Sequence, residues 1–162
     1  MPSSAHAQAL KSITFALGRK HPVYAVMGKA LAIEQGLPYA WYVRVPNLPA
    51  FLRYVAPVLE QRLASSAMVG YSGVLRLNFY RGGLQLAIEQ GKITTIEGWQ
   101  SPSWDSPENA GFPPLVFLQL LFGHRSLDEL RFAFPDVWAN DEVVPLLNAL
   151  FPASPSWVLP LG

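Results

Sequence analysis

The chain has 162 residues, no cysteine, and a formal charge of +1 from 12 basic and 11 acidic side chains. No cysteine means no disulfide framework, thiolate nucleophile or cysteine-based zinc site, and the scattered charges offer no basic stripe to a nucleic-acid backbone. Charged residues make up 14% and hydrophobic residues 51%, against roughly 25% charged in an ordinary soluble domain, so a partner surface or an internal apolar cavity is expected.

Ser3 or Ser4 can cap a first helix with Leu10, Ile13 and Leu17 along one face and Gly18 as its stop. A short helical piece follows Pro22 and carries Val23, Met27 and Leu31. Gly36 and Pro38 end it. Residues 1–37 thus read as a helical arm and residues 38–162 as the domain proper. Trp41 to Val45 alternates as a strand. Asn47 can cap the next helix, whose buried stripe is Phe51, Leu52, Val55, Leu59 and Leu63. Pro57 lies inside that helix and is expected to bend or split it.

The period then changes to two. In Val74 to Tyr80, Leu75, Leu77 and Phe79 share a face. Arg81-Gly82-Gly83 is a turn, and Leu84, Leu86 and Ile88 repeat the apolar face. Gln90-Gly91 is a second turn, and Lys92 to Glu97 a third strand. The three form an antiparallel meander with one apolar face.

Ser101 to Gly111 reads as a polar loop. Pro114 to Phe122 is apolar on nearly every side, the mark of a buried helix. Ser126 and Glu129 have capping-box spacing and start a short helix ending near Pro135. Asn140 can cap a last helix carrying Val144, Leu147, Leu150 and Phe151. The resulting fold is α+β, an antiparallel sheet with helices packed on one face. At this length such a domain buries about 70% of its unfolded surface.

Few residues carry chemistry. His6, His21 and His124 sit in separate segments without metal-ligand spacing. No nucleophile elbow and no glycine-rich loop opening a helix is present, so no metal and no cofactor is expected. Asp128 and Glu129 are accounted for by capping and the helix dipole. The positive signal is apolar. Leu75, Leu77, Phe79, Leu84, Leu86 and Ile88, sealed by Leu118, Leu121 and Phe122, form either an ordinary dry core or the lining of a lipid-sized cavity. Trp41, Trp99, Trp104 and Trp157 are candidates for a homo-oligomer contact. No apolar run reaches the roughly 20 residues of a membrane span, and the N-terminus lacks a signal-peptide pattern, so a soluble cytoplasmic protein is expected.

WYVRVPNLPAFL at Trp41 to Leu52, the strands of Gly73 to Trp99, FLQLLFGHRSLDELRFAFPD at Phe117 to Asp136 and ALFPASPSW at Ala149 to Trp157 resemble the sterol-carrier-protein-like domain that closes the enhanced-intracellular-survival type of acetyltransferase. The resemblance implies an antiparallel sheet with helices, common multimer assembly, and a GNAT acetyltransferase domain ahead of it that holds the cofactor on a glycine-rich loop. The 37 residues before the match cannot hold that domain and are expected to be a remnant of the connecting segment. The resemblance further implies that the terminal carboxylate, here that of Gly162, can act as a base in the transfer site. This chain ends in glycine, not an aromatic residue, and lacks the transferase half. The expected role is a non-catalytic module that binds an apolar small molecule or serves a GNAT partner. The alternatives are an acetyltransferase component acting through Gly162, and an oligomerisation module.

Overall fold

The computed structural model describes residues 22–27, 43–100 and 108–154. The chain divides into two compact units, Met1–Pro38 with Trp157–Gly162, and Tyr39–Ser156. Helix α1, Pro22–Met27, belongs to the first. Ser3, Ser4, Leu10, Ile13, Leu17, Gly18, Leu31, Gly36 and Pro38 lie outside the described residues.

The larger unit is α+β. Helix α2 spans Leu48–Ala64, and strands β1 (Gly73–Asn78), β2 (Gly83–Glu89) and β3 (Lys92–Trp99) follow. Then come β4 (Ala110–Gly111), α3 (Val116–Leu121), α4 (Leu127–Ala133), β5 (Trp138–Ala139) and α5 (Val144–Leu150). The five strands make one sheet in the order β3-β2-β1-β4-β5. The meander is antiparallel as its alternation predicts, with Leu75 opposite Leu86 and Leu77 opposite Leu84. These four side chains are fully buried, and each contributes about 1.5–3 kcal/mol. The pair β1–β4, however, is parallel, so the sheet is mixed. β4 lies in the segment expected to be loop. An Ala-Gly pair has no strand signature, and its neighbours place it in the ladder: Asn109 accepts from Arg76 N through Oδ1 at 2.7 Å and donates its own N–H to Arg76 O at 3.0 Å.

Asn47 caps α2, accepting from Ala50 N at 3.0 Å. Pro57 sits on the exposed side of that helix, which runs unbroken past it, so the expected split does not occur. A proline facing solvent leaves its orphaned carbonyl partner accessible to water. Val43 to Val45 has no ladder partner, contrary to its alternating pattern. Pro46 leads this segment directly into the α2 cap. Asn140 does not cap α5 either. A turn over residues 141–143 intervenes, and the Asn140 amide instead donates to Glu108 O at 3.0 Å.

The second hairpin turn holds Gln90 at φ 48° and Gly91 at φ 78°, the left-handed pair that a tight two-residue turn needs. Ser126 and Glu129 form the expected capping box in both directions. Its hydrogen bonds hold the Glu129 carboxyl below the usual range, the Ser126 backbone N–H contributing most and the hydroxyl next.

One sheet face carries the core and the other carries Trp–Gly pairs. Trp99 lies over Gly83 on the neighbouring strand, and Trp138 over Gly111. A methyl group on Gly111 would strike the Trp138 indole, whereas one on Gly98 would meet nothing within 4 Å. Gly111→Ala is expected to destabilise by about 1–3 kcal/mol in urea unfolding, and Gly98→Ala to stay within about 0.5 kcal/mol of the parent.

Candidate functional site

The apolar residues singled out from the sequence do come together. Leu75, Leu77, Leu84, Leu86 and Ile88 from β1 and β2 and Leu118 and Leu121 from α3 are buried in one cluster; Phe79 and Phe122 are half-buried against it. The pattern works because strand residues two apart share a face. The hub of the cluster went unremarked in the sequence. Phe117 holds its ring centroid 5.4 Å from each of Phe79, Phe112 and Phe151. Its position in an all-apolar helix was the only signal for it.

At one end this core meets solvent. A pocket of about 490 Å³ opens between the start of α2 and the β1–β2 hairpin. Phe79 and Leu84 form its apolar floor; Val45, Leu48 and Pro114 line its sides, and Arg81 borders it. The proline-flanked entry to α2, Pro46 and Pro49, stiffens one wall. Arg81 brings a permanent cation to the opening, which Asn47 also lines. The pocket thus has an oily floor, a rigid wall and a positive group, the combination suited to an amphiphile.

A second hollow, about 390 Å³, lies where α2 runs along the outer edge of β3. Arg53, Ala56 and Ile93 to Glu97 line it. Glu60 accepts from Ile93 N at 3.0 Å and from Lys92 Nζ at 2.8 Å. Arg53 Nη2 donates to Ile96 O at 2.5 Å. These contacts hold the Glu60 carboxyl below its ordinary range, the Lys92 hydrogen bond contributing most and the Ile93 N–H next. The sequence reading passed over Arg53 and Glu60, although their seven-residue separation puts them on one helix face.

His124 is exposed, and Arg125 beside it packs its guanidinium 6.0 Å from the Phe134 ring centroid. On the outer sheet face Arg76 donates to Gln85, and Gln85 to Glu97, in one cross-strand row. Arg76 also lies 5.9 Å from the Trp99 ring centroid. Among the described residues no three acidic or histidine side chains gather where a metal could be held, and no helix is long and apolar enough to cross a membrane. His6, His21, Trp41, Trp104, Trp157 and Gly162 lie outside the described residues. No family model, curated protein or solved structure matches the chain.

The Glu60 contacts have a pH signature. A carboxyl whose folded pKa is depressed adds stability above its unfolded pKa, here 4.5, and loses it as pH falls through the folded value. Urea unfolding of the parent and Glu60→Gln should therefore differ by a constant margin above about pH 5.5, and that margin should shrink steadily below pH 4.5.

Proposed function

We propose that this chain is a non-catalytic binding module that holds an apolar small molecule with an anionic or polar head, as a sterol-carrier-like accessory to a GNAT acetyltransferase in the cytoplasm. The observation that carries the reading is the pocket beside α2, where half-buried Phe79, with Leu84 beneath it, brings the apolar core toward the surface next to Arg81. Burial of an acyl chain there gains about 0.8 kcal/mol per methylene, and Arg81 can pair with a carboxylate. The α+β architecture with helices over an apolar sheet face is also what the sequence resemblance implies, and that resemblance sets such a domain beside a transferase. The side chains around the pocket offer packing and one cation, with no nucleophile poised beside a base.

Titration with a fluorescent fatty acid and with its uncharged methyl ester tests this. Both are expected to saturate at one site per chain. Arg81→Ala should weaken the acid about tenfold and leave the ester unchanged. Leu48→Glu should weaken both, since it puts a carboxylate in the pocket while suiting the first turn of a helix. Absence of saturable binding by either probe would overturn the reading.

A further inference from the structure

Residues 92–97 read Lys-Ile-Thr-Thr-Ile-Glu. Set antiparallel against a second copy of itself about a two-fold axis, this strand places Lys92 opposite Glu97, Ile93 opposite Ile96 and Thr94 opposite Thr95. Opposite charges and β-branched pairs are the favourable cross-strand combinations. In a regular strand this register fails, because residues an odd number apart direct their backbone groups to opposite edges.

The structure removes that conflict. Ala87 pairs with Thr95 and Ile88 with Ile93, so Thr94 is an extra residue, a bulge on β3. The bulge shifts the alternation by one. The Ile93 N–H and the Ile96 carbonyl consequently both point away from β2, as their bonds to Glu60 and Arg53 demonstrate. Ile93 and Ile96 also both face the core side, where Ile96 is buried and Ile93 packs against the cluster. The two groups that α2 occupies are therefore the two that antiparallel self-pairing would join, Ile93 N–H to the Ile96 carbonyl of the other copy.

Apart from α2, no described strand pairs with this edge. Lys92 is 73% exposed, and Thr94, Thr95, Glu97 and Gly98 are exposed. β3 is the terminal strand of the sheet, and an unpaired edge is a template for another chain.

We propose that β3 is the seam of a symmetric homodimer in which two sheets join edge to edge in the Lys92–Glu97 register, with Arg53 and Glu60 as guards that compete for the same backbone groups. The partner is a second copy of this chain because the charge pattern complements itself: each seam brings two Lys92–Glu97 pairs together and no like-charge pair. Competition from the guards makes the association weak and adjustable. This inference is independent of the pocket beside α2.

Sedimentation equilibrium of the full chain at low salt tests it. The parent should dimerise at concentrations up to about 1 mM. Glu97→Lys and Lys92→Glu should each weaken the dimer about tenfold, and the double reversal K92E/E97K should restore it to within about threefold. The Arg53→Ala, Glu60→Ala pair, which releases the guards, should tighten it about tenfold. Hydrogen exchange at the Ile96 and Gly98 amides should slow as concentration rises. A parent chain that stays monomeric at about 1 mM overturns the proposal, and so does a dimer indifferent to single charge reversal.

Discussion

The whole unit depends on covering one side of the β1–β2 ladder. Leu75, Leu77, Leu84, Leu86 and Ile88 present a continuous aliphatic surface with no polar atom on it. Such a face cannot be left in water, and a hairpin alone cannot hide it. The helices supply the cover, and their own composition follows from that duty. α3 is apolar nearly all round because it lies against the sheet while other core elements cover it, and Phe117 ties it to Phe112 and Phe151 at once. α2 needs only a stripe, Leu52, Leu59 and Leu63, and keeps its remaining surface for other uses.

Those other uses concentrate the chemistry of the molecule on α2. Its first turn walls the pocket above Phe79 and Leu84. Two turns of its flank hold the outer groups of β3 through Arg53 and Glu60. Both places show polar groups engaging backbone or bordering an oily surface. Neither shows the converging acid, base and nucleophile that bond-breaking requires. The framework is sparing of charge and rich in aliphatic contact, and α2 borders both hollows.

Periodicity made most of this architecture legible. Alternation located β1, β2 and β3 because one of their faces is buried, and the glycines at the turns marked where they reverse. The Ser126–Glu129 spacing located α4 because a capping box is a local interaction. What escaped was non-local. Ala110 and Gly111 form a strand only because β1 and β5 flank them, and nothing in two small residues announces that. Asn140 has the right chemistry for a cap but the wrong place, since a turn over residues 141–143 separates it from α5. The apolar residues of the candidate site were found, but not the pocket beside them. Its shape is set by Pro46, Pro49 and Pro114, which meet only after folding.

The place of β4 in the sheet has a consequence for biosynthesis. β1 finds one neighbour, β2, within ten residues, but its other neighbour is made more than thirty residues later, together with α3 and α5 beyond it. At about 5–20 residues per second, a ribosome takes several seconds to deliver the fifty or so residues that complete the core. Throughout that interval the nascent meander lacks α3, α4 and α5. The apolar face of the meander is thus completed only between the emergence of Trp99 and that of Leu150.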